Sequence, residues 1–240
     1  MAGNPRDRNR NVVRNASTRP KKPYWILVVI AVVGASILAY TMTRKPAAPE
    51  ATPETPPPDL ATAGPPHGYV AGKADAPVKI EEFADFECPG CGRFATITEP
   101  DLNKRIIETG LATLTYYDFP LPQHRNSQSA SNAAACADEQ GKFWPMHDQL
   151  FDAQDKWNTE ATDNPKPMFM SYAAAVGLDA AKFEACYDAR KFQKRIDANL
   201  AEGLRRHVNS TPTFVIAGKT YANAMSYDEL KAIVDSAARK

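Results

Sequence analysis

Cysteine is scarce in this chain, with four in 240 residues at Cys88, Cys91, Cys136 and Cys186. A structural zinc site wants two ligand pairs at matching spacing, and beyond a single C-x-x-C the other two cysteines stand 50 residues apart with no histidine pattern near them. No metal is expected. Histidine is as sparse: His67, His124, His147 and His207 are scattered and read as structural or exposed. No cysteine lies near the apolar run that opens the chain, which argues against a lipid-modified anchor. No internal repeat is visible. The formal charge is only +1.

That small charge hides an asymmetry. Residues 1–22 carry Arg6, Arg8, Arg10, Arg14, Arg19, Lys21 and Lys22 against Asp7 alone. In isolation such a block would suit a nucleic-acid-binding arm, but Tyr24 to Met42 follows as 19 residues without a charge, long enough to cross a bilayer as a helix. Tyr24, Trp25 and Tyr40 suit the interfaces, and the basic flank places the N-terminus in the cytoplasm. No nucleic acid is expected as a partner. A cleaved signal peptide has the same grammar, with removal near Ala47 to Ala51 as its form here. Against it stand the length of the run, Arg44 and Lys45 directly after it, and the lack of a small-x-small site at its end. Either reading puts the rest of the chain in an oxidising compartment. Thr43 to Pro66 holds eight prolines in 24 residues and reads as a spacer, spanning up to roughly 70 Å when extended. The organisation is a basic cytoplasmic tail (1–23), a transmembrane anchor (24–42), a proline-rich linker (43–66) and a folded domain (67–240).

From His67 onward strand and helix signals alternate, the pattern of an α/β domain. Val78 to Phe86 alternates as a strand, with Val78, Ile80, Glu82, Ala84 and Phe86 on one face, so Glu82 stands in apolar company. A helix-like run, Arg93 to Thr109, ends at Gly110, a residue suited to the left-handed cap. Leu111 to Phe119 reads as a second strand. A helical stretch follows from about 127 to 206, interrupted at Asn164–Pro167 and Gly177. Thr213–Ala217 and Lys219–Ala222 then form a hairpin, and Ser226 with Glu229 opens a last helix by a capping box.

Cys88-Pro89-Gly90-Cys91 falls between the first strand and the first helix. Cysteines three apart on a helix's opening turn can close a disulfide with little backbone movement, and the helix's positive end favours a thiolate. The chemistry expected is thiol–disulfide exchange, with Cys88 attacking and the more buried Cys91 resolving. A structural disulfide and half a zinc site are the bland alternatives. Asp85 and Glu87, if they face Cys88, raise its pKa by like charge. Cys136 and Cys186 are either a second disulfide or two buried thiols; an oxidising compartment and an even cysteine count favour the bridge.

The run Phe83-Ala84-Asp85-Phe86-Glu87-Cys88-Pro89-Gly90-Cys91, the later Glu139-Gln140-Gly141-Lys142-Phe143-Trp144, and Ser210-Thr211-Pro212-Thr213-Phe214 together resemble the DsbA-like thiol–disulfide oxidoreductases. The resemblance covers about residues 68–240. It implies a thioredoxin-like α/β fold with an inserted helical subdomain, no cofactor beyond the redox-active disulfide, and cysteine-containing exported proteins as substrates. It also implies reoxidation by a membrane quinone-linked enzyme of the DsbB or vitamin K epoxide reductase type. By the same resemblance Thr211-Pro212 is a cis bond beside the cysteines that offers backbone to an extended substrate. Glu82, six residues before Cys88, matches the family's buried carboxylate, which relays a proton to or from the second cysteine; a half-exposed strand residue is the alternative.

One departure bears on direction. Strong oxidants of the family place His where Gly90 stands, so this disulfide is expected to be a weaker oxidant. The expected function is a membrane-anchored oxidase of exported proteins, acting as a monomer. The alternatives are a reductase or isomerase built on the same site, and a tethered peptide-binding module with an inert disulfide. An exposed, low-pKa Cys88 would exclude the last.

Overall fold

A computed structural model describes residues 29–34 and 63–239. Residues 29–34 are helical, with Val29, Ile30, Val32 and Val33 exposed. The remainder of the anchor expected at 24–42, the tail at 1–23 and nearly all of the linker at 43–66 lie outside the described residues. Among the described residues no helix is long and apolar enough to cross a membrane.

Five strands make one sheet: β1 (Tyr69–Ala71), β2 (Val78–Ala84), β3 (Ala112–Asp118), β4 (Thr213–Ile216) and β5 (Lys219–Ala222), in the order β1-β3-β2-β4-β5. β2 and β3 are parallel, joined by helix α1, and the other pairs are antiparallel. Helix α1 starts at the cysteine pair itself, at Pro89 rather than at Arg93. It is continuous through Pro89–Arg93, Phe94–Thr98, Glu99–Leu102 and Asn103–Ile107, the second and fourth segments being wound as π turns. It ends at Gly110, whose φ of +81° lets the Gly110 and Leu111 N–H groups bond back to Ile107 and Ile106.

Burial explains the two faces of the sheet. Val78 and Ile80 of β2, with Leu114, Phe214 and Ile216, pack against Phe94, Leu102 and Ile106 of α1 and against Leu230 and Val234 of α8 (Tyr227–Ala237). The capping box expected at Ser226 and Glu229 opens α8. On the opposite face Phe83 and Phe119 meet α7 (Gln193–Arg205). A Cβ at Gly203 would fall 2.5 Å from the Phe119 ring, so only glycine allows this approach.

The stretch expected as one helical insertion at 127–206 divides in two. Helices α2 (Ser127–Asp138), α3 (Phe143–Asp152), α4 (Gln154–Trp157), α5 (Lys166–Ala175) and α6 (Ala180–Asp188) share a core built on Met146, Leu150, Trp157, Phe169 and Phe183. Helix α7 returns the chain to the sheet. Strand β1 was absent from the expected layout of two strands, insertion and two strands; three residues are too few to show alternation. Tyr69 nonetheless anchors it, stacking on Phe143 at 3.6 Å between ring centres.

Candidate active site

Strand β2 ends at Ala84, and a short turn carries Cys88 to the N-cap of α1. The turn is closed by the Cys88 N–H donating to the Asp85 carbonyl (3.0 Å) and the Gly92 N–H donating to the Cys88 carbonyl (3.0 Å). Pro89 occupies the first helical position, where a missing N–H costs nothing. Both cysteines are free thiols; Cys88 keeps 8% of its surface and Cys91 none. Because β4 pairs with β2, the chain just before β4 arrives at the same place. Thr211–Pro212 is cis, and the Cys88 S–H donates to the Thr211 carbonyl at 3.3 Å. Gly90 completes the contact: a Cβ there would lie 3.3 Å from Pro212 Cδ and 3.7 Å from the Thr211 oxygen.

The two sulfurs differ sharply. The Cys88 pKa is lowered to about 5, chiefly because the Cys91 thiol donates to its thiolate, with help from the Thr211 side chain and from the Cys91 and Gly90 N–H groups; partial burial opposes them. Cys91 moves the other way, pushed well up by burial and then by sharing its proton with Cys88 and by the charges of Cys88 and Glu82. So Cys88 ionises well below its ordinary range without a cation at position 90.

Glu82 is 2% exposed, which removes the half-exposed alternative. Burial, then the charges of Glu99 and Cys88, push its carboxyl well above the ordinary range, and one of its oxygens has no hydrogen-bond partner. In the sheet it sits between Tyr116 and Phe214. A buried acid held protonated beside a buried thiol can serve as a local proton store.

Asp85 and Glu87 are turned to other donors. Asp85 accepts from the Glu87 and Leu121 N–H groups (2.8 Å each) and the Ser127 hydroxyl, and pairs with the His124 ring at 2.7 Å, which raises the His124 pKa. Glu87 accepts from the N–H groups of Asn126 and Thr159. These carboxylates tie the cysteine turn to the insertion. Gln154 does the same from α4, donating to the carbonyls of Phe86 (2.7 Å) and Cys88 (3.0 Å). No spacing in the sequence marks Gln154, because its partners are 66 and 68 positions away. Within the core that the insertion shares with the cysteine turn, a disulfide joins Cys136 of α2 to Cys186 of α6, with the Cα atoms 5.8 Å apart.

A family model described as Thioredoxin matches residues 65–236. The Probable disulfide bond formation protein D of Bacillus anthracis is 25% identical over 170 residues, covering 70% of this chain and 77% of that protein. The Na(+)/H(+) antiporter NhaA 3 of Salinispora tropica is 32% identical over 174 residues, 72% of this chain but 25% of that protein. This chain thus spans about a quarter of the length of the antiporter-named relatives, and their transport activity is not carried over by the likeness. Among solved structures, α-DsbA1 of Wolbachia pipientis matches with a TM-score of 0.65 over 75% of this chain and 94% of that one, at 18% identity, a likeness of fold. On the family match the chain belongs to the thioredoxin family, with a fold like that of α-DsbA1.

Proposed function

We propose that this protein is a membrane-anchored extracytoplasmic enzyme that introduces disulfides into exported proteins through Cys88 and Cys91. The observation that carries the reading is the asymmetry of the pair: a thiolate-forming Cys88 against a Cys91 held protonated. A dithiol whose outer thiolate is stabilised favours its reduced state, so its disulfide gives up oxidising equivalents readily.

In the oxidised enzyme a substrate thiolate attacks Cys88 Sγ, the Cys88–Cys91 bond breaks, and Cys91 leaves with the electron pair and takes a proton from Glu82. A second substrate thiolate then attacks the substrate sulfur of the mixed disulfide, and Cys88 leaves as its stable thiolate. Two substrate thiols are oxidised and one enzyme disulfide is reduced. The reduced pair passes two electrons to a membrane quinone-linked enzyme of the DsbB or vitamin K epoxide reductase type, with no other cofactor. Thr211 and Pro212 offer the backbone beside Cys88 to an extended substrate segment. The span at 24–42, with the basic tail inside, holds the domain at the outer face of the cell membrane, and the linker at 43–66 sets its reach.

The test is trapping in cells. A Cys91→Ala variant of the full chain should accumulate mixed disulfides with exported proteins that dithiothreitol releases, and Cys88→Ala should accumulate none. A Cys91→Ala protein that traps nothing contradicts the reading.

A further inference from the structure

Glu82 and Cys91 are both sealed from solvent, so a proton exchanged between them needs a way out. Directly behind the cysteine turn lies His147 of α3, 1% exposed, ringed by Phe86, Tyr116, Phe143, Trp144 and Phe151 at 4.9 to 5.9 Å between ring centres. Its two nitrogens face two different carboxylates. Nδ1 is 2.9 Å from Oδ1 of Asp148, whose side chain is 67% exposed, and Nε2 is 3.7 Å from Oε2 of Glu99, which is 2% exposed. That Glu99 oxygen has no hydrogen-bond partner, and Oε1 accepts only from Asn103. Glu99 is also the strongest charge acting on Glu82. A cavity of about 220 Å³ lined by Thr96, Glu99, Asn103, Asp148 and Asp152 reaches the same carboxyl, with room for water.

An imidazole with a buried acid on one nitrogen and an exposed acid on the other can accept a proton on one side and release it on the other. The titratable groups around it are Glu99 on α1, with Glu82 and Cys91 beyond, Tyr116 on β3, and Asp148 on its own helix, with Asp152 at the cavity. We propose that Glu99, His147 and Asp148 form the proton path between the buried Glu82–Cys91 pair and solvent. This rests on the dithiol reading above. When Cys91 leaves the broken disulfide and takes a proton from Glu82, Glu82 is reprotonated by Glu99, Glu99 by His147, and His147 from water at Asp148. No electrons pass along the path, and it runs backwards when the disulfide re-forms.

The test is stopped-flow reduction of the oxidised full-length protein by dithiothreitol across pH, with the reduction potential measured on each variant. His147→Gln and Glu99→Gln should slow Cys91 release by about a hundredfold, the low end of what positioned acid–base groups contribute. A carrier of protons alters both directions equally, so the potential of His147→Gln should stay at the wild-type value. Added imidazole should restore the rate of His147→Gly, and Asp148→Asn, a surface change that keeps the fold, should slow the reaction several-fold. Variants with the wild-type rate and pH profile overturn the path and leave the dithiol reading standing, as does a His147→Gln rate loss matched by a shifted potential, the mark of a structural effect. A wild-type protein that exchanges no disulfide overturns both.

Discussion

The Cys88 sulfur lies 3.3 Å from the carbonyl oxygen of Thr211, 123 positions further along the chain. The antiparallel pairing of β2 with β4 makes this contact, because the end of β2 and the start of β4 lie side by side at one end of the sheet. Gly90 permits it, since a side chain there would press on Pro212. The reactive sulfur and the Thr211–Pro212 backbone therefore stand side by side, where an extended substrate can be held against the sulfur.

Cys88 of the reduced protein should react with iodoacetamide with a midpoint near pH 5. Its folded pKa is depressed below the ordinary thiol range, so the reduced fold gains stability as pH rises above about 5. That gain is complete near the unfolded value of about 8.5, and it is lost as pH falls back through about 5. Alkylation followed by mass across pH checks this; a midpoint near 8.5 would contradict the hydrogen bonding described for Cys88.

Gly90→His should place a cation beside Cys88. A further drop of about one pKa unit raises the potential by about 30 mV. The added Cβ, 3.3 Å from Pro212 Cδ, needs only a small adjustment. Equilibration of the variant against glutathione reads the shift, and an unchanged potential would show that position 90 has no electrostatic hold on the thiolate.

Asp118 on β3 is fully buried, and although Asn199 donates to one of its oxygens, burial raises its pKa to about 6. The folded value lies above the unfolded one, so stability is fully present below about pH 4 and is lost as pH rises through about 6. Asp118→Asn should therefore stabilise the protein by on the order of 2–3 kcal/mol at pH 7.5 and by almost nothing at pH 4. Urea unfolding at the two pH values measures the difference; equal effects at both would locate the change in packing instead.

Replacing Cys136 and Cys186 together by Ala opens a loop that spans α2 to α6. The chain-entropy model puts the loss at about 4 kcal/mol, which lowers Tm by roughly 10 °C for a domain of this size. Exchange at Cys88 should persist at temperatures where the variant is folded, because the bridge uses neither Cys88 nor Cys91. Calorimetry paired with an exchange assay separates the two; loss of exchange in the folded variant would tie the bridge to the chemistry.

The centre of this structure was legible because its signals are local. Alternation in β2, the cysteines at a helix start, the Gly110 stop and the Ser226–Glu229 box each depend on neighbours within a few residues. The second thread, Thr211-Pro212, came through resemblance, and its place beside Cys88 comes from the pairing of distant strands. What escaped is non-local. β1 exists because Tyr69 stacks on Phe143, α7 leaves the insertion because Gly203 admits it to the sheet, and Asp85 and Glu87 find donors between 121 and 159. His147 read as one scattered histidine; packing of α3 against α1 adds Glu99 on the other nitrogen from Asp148, its neighbour in sequence.

The most direct test is the reduction potential of the Cys88–Cys91 couple in the full-length protein, by equilibration with glutathione and mass analysis of each cysteine pair. A disulfide donor with this low-pKa thiolate should show a two-electron couple at Cys88 and Cys91 near or above roughly −150 mV. A value near roughly −270 mV, the range of a reductant, would contradict it.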